Sequence, residues 1–492
     1  MLNRLVIYFH YDPRGQADTA CRFAVHAMGK QARVLLFVHN GPLARETRDW
    51  LAREGVEYLE RQNTGMDVGA YRDALFHLGR KALDSFDELI LMNYTLAGPV
   101  RPLESMFAAM DARPELDFWG ISRHYAMKSR RFGKNGFVPE HIQSHFIAVR
   151  RRMYDDFWQY WQNMQLPASY EDSIRCHETR FTRHFADLGY RWGTFVDGDA
   201  WRGLFVNPIM ACPRELIAGQ GCPFFKRRSF FTPYADELRR TDGCAAAQLY
   251  TYLKRNTDFP ADELIASLLP NQPLTCMFQN LHWHYLLPVA SSAAVPVTLL
   301  PQDLRDGIQL QKDTLYWIPL DFFRGRVLHW YEQAYRWDES RLAAVAALFD
   351  VHPGLGVAGP ALPSSPDALE AKEREWKQDL PHLKESMASL GLGVPLADEP
   401  LPLPNGGGLM VRGAAFPDGL PPIRCSADFW LLPLTAQQNG YFSADVAEAE
   451  QAAATSDIRQ AAARPLLTIP GTTKMLARRV KHTLLSRKEI NE

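Results

Sequence analysis

Cysteine is scarce and badly placed for a structural role. The chain of 492 residues carries seven: Cys21, Cys176, Cys212, Cys222, Cys244, Cys276 and Cys425. The number is odd, and no C-x-x-C pair or Cys/His grouping has zinc-ligand spacing, so neither a disulfide framework nor a zinc ribbon is expected. Reduced thiols and a cytoplasmic setting are. A long apolar run is also missing. The longest uncharged run, near Leu281–Gln302, is interrupted by Pro288, Pro296 and Pro301, whereas a spanning helix needs roughly 20 apolar residues. The start, M-L-N-R-L-V-I-Y-F-H-Y-D, has no secretory leader pattern and reads as a first strand. Excess charge is absent too: the formal net charge is −1, so no nucleic-acid partner is expected. With 46% apolar and 23% charged residues, the composition is that of a soluble globular protein. The length predicts two or three domains.

What the chain has in its first half is alternation. Leu5–Phe9, Val34–Val38, Val56–Glu60 and Leu89–Met92 read as strands. Helices fit Ala17–Met28 and Ala44–Arg53, and a third opens after Gly65, on the stripe Tyr71, Ala74, Leu75 and Leu78. This pattern predicts an α/β fold with a mostly parallel, doubly wound sheet. Ligands of such sheets bind beyond the carboxyl ends of the strands. That rim collects His10, Asp12, His39, Asn40, Arg61, Asn63, Asp67, Asn93, Tyr94 and Thr95. Gly65 and Gly69 bracket Asp67 in a turn that opens a helix, and a helix N-terminus can hold phosphate. An ordinary turn capped by Asp67 is the plainer alternative. Asn93-Tyr94-Thr95 offers an amide, a phenol and a hydroxyl, a set able to hydrogen-bond a sugar or phosphate but poor for magnesium or manganese.

Arg123, His124, Lys128, Arg130, Arg131 and Lys134 form a loop without acidic residues. It would neutralise a diphosphate or simply be solvated. His141–Val149 is expected as one strand whose polar face, His141 and Gln143, lines the cleft. Tyr154, Phe157, Trp158 and Trp161 recur at helical spacing and are expected in the core. A helix over Ser169–Leu188 has the apolar stripe Ile174, Phe181, Phe185 and Leu188. Glu178 falls on that face, where burial would poise it as a general base, and His177 beside it is a second candidate. A structural glutamate satisfied by a buried partner is the alternative.

Five fragments carry a family resemblance: R-Q-N-T-G-M-D-V-G-A-Y-R-D-A-L, D-E-L-I-L-M-N-Y-T-L-A-G-P, D-F-W-G-I-S, H-I-Q-S-H-F and H-E-T-R-F-T-R-H-F-A-D-L-G-Y. In this order and spacing they resemble the rhamnan synthesis F family of bacterial surface-polysaccharide assembly, over roughly Leu5–Tyr190. The resemblance implies a GT-A-like glycosyltransferase. It implies that Asn93-Tyr94-Thr95 takes the diphosphate position, Asn63 and Asp67 the donor-side turn, and Glu178 the base. Asn40, Arg61, Gly65, Gly69, His141 and Gln143 are further candidates for the donor. The family pattern at the strand end is usually Asn-Asp-Ser; Tyr94 stands where the aspartate would be. No metal ligand is therefore assigned, and dependence on manganese or magnesium is left open. The implied partners are a nucleotide-sugar donor and a lipid-linked oligosaccharide acceptor.

The expected organisation is a GT-A-like domain over 1–235, a helical connection over 236–294, a second and smaller α/β module over 295–457, and a basic amphipathic tail over 458–492. Within the connection, Phe278–Leu287 reads as helix. The second module has a glycine run at 406–408 but no paired carboxylates after a buried strand, and no chemistry is assigned to it. The tail has no acidic residue between Ile458 and Lys488; it would suit peripheral contact with an anionic membrane or packing on its own protein. Two readings compete with transfer: a non-catalytic scaffold or glycan-binding partner in the same machinery, and a hydrolase pairing Asp67 with Glu178.

Overall fold

The apolar runs expected as strands are strands, and their burial explains their composition. In the computed structural model, residues 2–129, 136–199, 202–286, 297–300, 303–319, 339–361, 366–401, 403 and 408–447 are described. Arg130, Arg131 and Lys134 of the basic loop, most of the glycine run and the whole 458–492 tail lie outside them. The chain forms two compact units, one of residues 1–229 with 248–260, the other of 230–247 with the chain from 261 onward. Among the described residues, no helix is long and apolar enough to cross a membrane.

The first unit is built on a seven-stranded sheet. Its strands are β1 (Arg4–His10), β2 (Val34–Asn40), β3 (Glu57–Arg61), β4 (Glu88–Asn93), β5 (Phe118–Gly120), β6 (Phe146–Arg150) and β7 (Trp192–Thr194), in the order β7-β5-β6-β4-β1-β2-β3. β1 pairs in parallel with both β2 and β4, and every residue of β1 and β4 is buried. Strands covered on both faces cannot alternate polar and apolar residues, which is why they read as continuous hydrophobic runs. β6 is the antiparallel member, set between β4 and β5. The crossovers are α1 (Thr19–Gly29), α2 (Arg45–Glu54) and α3 (Met66–Leu78). Tyr154, Phe157 and Trp161 are core, as expected.

Three expected elements are different in the structure. The strand expected over His141–Val149 is two pieces. His141–Ile142 pairs with Arg123–His124, the chain turns at Ser144–His145, and β6 begins at Phe146. Polar and apolar residues alternate through the turn, so pattern alone could not reveal it. The helix expected over Ser169–Leu188 is broken into Tyr170–Ser173, a π-helical segment Ile174–Glu178, and α4 (Thr179–Asp187). The wider turn rotates the inward face. Ser173, His177, Phe181 and Phe185 point inward, Glu178 is half-buried at the rim, and Leu188 is 54% exposed. The helix expected over Phe278–Leu287 stops at Leu281, where His282 takes φ +53°, and His284–Leu286 forms a strand.

That strand belongs to the second unit's six-stranded sheet: β8 (His284–Leu286), β9 (Val297–Leu299), β10 (Leu315–Ile318), β11 (Leu355–Pro360), β12 (Leu409–Arg412) and β13 (Phe442–Ala447), in the order β8-β13-β11-β12-β10-β9. Its helices include α5 (Glu339–Val351), α6 (Pro366–Leu390) and α7 (Leu431–Gln438).

Candidate functional site

β4 has two polar ends with opposite characters. At its start, Glu88 is fully buried and fully matched. It accepts from Arg4 Nε and Trp119 Nε1, both at 2.8 Å, and Arg150 Nε lies 3.6 Å away. Breaking a matched buried ion pair costs on the order of 3–5 kcal/mol, so this end is scaffold. At the other end Asn93 begins a chain of hydrogen bonds. Lys226 Nζ donates to Thr95 Oγ1 at 3.1 Å, Thr95 Oγ1 donates to Asn93 Oδ1 at 2.5 Å, and Asn93 Nδ2 donates to Asp67 Oδ2 at 3.1 Å. The other Asp67 oxygen accepts from Val68 N at 3.0 Å and Ser173 Oγ at 3.3 Å. Such chains polarise one another in a low-dielectric setting.

Each member arrives on its own element. Asp67 sits in the first turn of α3. The backbone on either side of it needs glycine twice. Gly65 adopts φ +69°, and a Cβ on Gly69 would lie 2.4 Å from the Thr64 carbonyl oxygen. Met66 takes φ +53°, a conformation rarely used by non-glycine residues. Asn40, Arg61 and Asn63 brace this turn. Arg61 Nε donates to Asp73 at 2.7 Å, one of its terminal nitrogens to Asn40 Oδ1 at 2.5 Å, and the other to Thr64 O at 3.0 Å. Asn40 Nδ2 donates to Asn63 Oδ1 at 3.1 Å and to Met66 O at 3.2 Å. Arg61 and Asn40 thus direct their polar atoms into the turn that holds Asp67.

Glu178 comes from the π segment, a helix irregularity that recurs at functional sites. Its Oε1 accepts from Ser144 N at 3.4 Å. Burial raises the Asp67 carboxyl above its ordinary value, and the charge on Glu178 raises it further. Burial lowers the Lys226 ammonium to about 8, against the pull of Glu178 and Asp67. Asp67, Asn93, Thr95, Glu178 and Lys226 therefore share one electrostatic environment. His145 lies behind them. It is 1% exposed, neither ring nitrogen has a hydrogen-bond partner among the described residues, and burial holds it neutral with help from Lys226.

The other candidates take different positions. His177 is built into the aromatic core beside Trp161 and Phe181. Its Nδ1 meets the Tyr160 hydroxyl at 2.9 Å, and burial lowers it to about 3. Tyr94 packs edge-on against Phe9 and His10, with burial raising its hydroxyl to about 12. His141 stacks on His124 with ring centroids 5.1 Å apart, and Gln143 accepts from Ser122 Oγ at 2.9 Å. Lys226 was missed as a site residue because it lies 131 positions from Thr95. A two-residue strand, Phe225–Lys226, returns it by pairing with Leu96–Ala97. Its place in the cationic run Lys226-Arg227-Arg228 was the one available signal. A six-coordinate magnesium or manganese ion fits this set poorly. Both Asp67 oxygens and the Asn93 oxygen already accept hydrogen bonds, and an ammonium stands among them.

Several solved structures align with part of this chain at low identity. A cytidylyltransferase from Leptospira borgpetersenii serovar Hardjo-bovis is 8% identical, with 40% of this chain and 77% of that chain covered and a TM-score of 0.24. A 4-diphosphocytidyl-2C-methyl-D-erythritol synthase from Anaerococcus prevotii is 9% identical, with coverage of 39% and 86% and a TM-score of 0.27. A glycosyltransferase involved in glycosylation of the major capsid of PBCV-1 is 7% identical, with coverage of 45% and 93% and a TM-score of 0.22. Overlaps this loose are no basis for assigning chemistry. A curated relative, the uncharacterized protein y4gN of Sinorhizobium fredii, is 25% identical over 240 residues, or 47% of this chain; the match spans 59% of the relative's length. The α/β architecture with a mostly parallel sheet is the fold class expected from the sequence. The family model described as rhamnan synthesis protein F matches residues 35–300 of the 492, and the chain belongs to that family.

Proposed function

We propose that the first unit is a glycosyltransferase of surface-polysaccharide synthesis, moving a sugar from a nucleotide-sugar donor to a lipid-linked glycan. The observation that carries this reading is the hydrogen-bond chain from Lys226 through Thr95 and Asn93 to Asp67, with Glu178 electrostatically coupled to both charged ends. Glu178, half-buried and accepting, among the described residues, only a long bond from Ser144 N, is the proposed base for the acceptor hydroxyl. The oxygen so activated attacks the anomeric carbon, the bond to the donor diphosphate breaks, and the anomeric centre inverts. Lys226 is the proposed counter-charge for the leaving diphosphate, in the role that a divalent ion fills elsewhere; a fixed charge aimed at developing negative charge needs no reorganisation.

Titration calorimetry with a panel of nucleotide sugars, with and without manganese, tests the donor site; binding of at least one of them without metal is expected. Glu178→Gln should lower transfer by about 10²–10⁴-fold, the span of general-base catalysis, with donor affinity unchanged. A fully active Glu178→Gln variant removes that residue from the mechanism. Tyr94 favours a second reading, a glycan-binding scaffold in the same machinery, because the packed phenol supplies no carboxylate at the strand end. Failure of every nucleotide sugar to bind, with or without metal, decides for the scaffold.

A further inference from the structure

The second unit contains a mixed-ligand cluster that the transferase reading does not use. We infer that His382, Cys425 and Asp428 form a binding site for a zinc-class transition-metal ion. His382 lies on α6. Cys425 and Asp428 lie at the start of the 3-10 turn Ser426–Trp430, which runs into α7. His382 Nε2 is 2.7 Å from Asp428 Oδ1 and 3.5 Å from Cys425 Sγ, and the three ligand atoms lie within 4.8 Å of one another. Bonds of about 2.0–2.3 Å to a tetrahedral ion put its ligand atoms roughly 3.3–3.8 Å apart. Seating an ion therefore requires the histidine and aspartate to separate slightly and the span of up to 4.8 Å across the three atoms to close to about 3.8 Å.

Two plainer accounts leave part of this geometry unexplained. A nucleophile–base–orienter relay needs its cysteine and its carboxylate on different ring nitrogens. Here both face Nε2. A simple His–Asp hydrogen bond uses the single proton or lone pair of that nitrogen and does not account for the sulfur, already a cap of the Asp428 backbone, also standing 3.5 Å from it. A cation at the point where nitrogen, sulfur and oxygen converge uses all three. The ligands are also held in advance, as outer-shell partners hold metal ligands. Asp428 Oδ2 accepts from Arg424 N at 2.7 Å and Cys425 N at 3.0 Å, which leaves Oδ1 turned toward His382. Cys425 and Asp428 also cap each other's backbone reciprocally. Imidazole with thiolate selects zinc or cobalt over magnesium or calcium. Ser386 Oγ, 3.5 Å from Nε2, or water from the half-exposed side of His382 would complete four-coordination. The ion would clip α6 to the turn before α7, stabilising the folded unit by mass action.

Cobalt(II) and zinc(II) titrated into the full chain test the site. One equivalent of cobalt should produce a sulfur-to-cobalt charge-transfer band that zinc displaces. Cys425→Ser should abolish the band, and His382→Ala should weaken cobalt binding at least tenfold. A band that persists at full strength in Cys425→Ser, or no cobalt binding by the wild-type chain, overturns the inference. If the variants misfold, peptide-mapped alkylation of the wild-type chain decides: one equivalent of zinc should slow modification of Cys425 at least tenfold, and an unchanged rate overturns the site.

Discussion

The two sheets handle their buried charge in opposite ways. In the second unit the charged groups around the strands are matched: Asp445 pairs with His284, and Arg412 donates to the carbonyls of Leu355 at 2.9 Å and Phe349 at 2.5 Å. In the first unit, beyond the end of β4, Asp67 and Glu178 repel each other and Lys226 is held below its ordinary range. His145, neutral and with no hydrogen-bond partner for its ring among the described residues, lies close by. The same unit satisfies Glu88 completely at the start of the same strand, so the contrast is not one of overall packing quality. Strain of this kind at one end of a strand marks a place where the fold has given up local stability, as functional sites do.

Among the tests of that contrast, the largest effect is expected at its cation. Lys226→Met should lower turnover by about 100-fold or more, the cost of losing one preorganised charge partner, while the folded protein becomes more stable near pH 7. The sign follows from linkage. Lys226 has a folded value of about 8 against an ordinary 10.5. Folding is therefore penalised for carrying that proton below pH 8, and the penalty fades as pH rises toward 10.5. Melting curves of wild type and Lys226→Met should differ most below pH 8 and converge by about 10.5, the ordinary lysine value. The same titration puts an alkaline limb on turnover near pH 8, and Lys226→Arg should move that limb upward. A limb at the same pH in Lys226→Arg assigns it to another group.

Glycine substitutions sharpen the comparison at the next level. A Cβ on Gly69 would lie 2.4 Å from Thr64 O, and one on Gly413, in the second unit, 2.0 Å from Gln311 O. Each alanine variant should lose about 1–3 kcal/mol of stability, as overpacking does, measured by denaturant unfolding. Donor affinity should fall with Gly69→Ala alone, because that turn positions Asp67. Equal losses of affinity in both variants would separate Asp67 from donor binding. The smallest effect is expected at Tyr94. Tyr94→Asp adds a carboxylate at the strand end and should confer about tenfold tighter donor binding in manganese, near 1.4 kcal/mol. Calorimetry that shows no manganese effect would show that the strand end alone cannot recruit a metal.

Much of this site was legible before any coordinates. Asn93 and Asp67 were readable from the rule that ligands gather beyond the carboxyl ends of buried parallel strands. The sequence points to Glu178 as well, but through a regular helix that the structure breaks. An unbroken helix would have buried it, and the π segment instead leaves it half-buried at the rim. Helical spacing assumes a constant turn, and one wide turn shifts every later residue around the axis. His177, by sequence a second candidate for the base, is turned with the same shift into the aromatic core. The cluster at His382, Cys425 and Asp428 had no signal at all, because its histidine lies 43 positions from its cysteine.

By itself, the order of residues determined the alternation of strand and helix, the buried central strands, the glycine turn before Asp67 and the polar strand end at Asn93. These depend on short-range preferences and on a period that a few neighbours reveal. Only the tertiary structure decided that Lys226 meets Thr95, that Asp67 meets Ser173, and that Glu178 reaches the backbone of Ser144. Those contacts join segments far apart in the chain. Their formation depends on which strands pair and where a helix widens, and both are settled by packing against the rest of the fold.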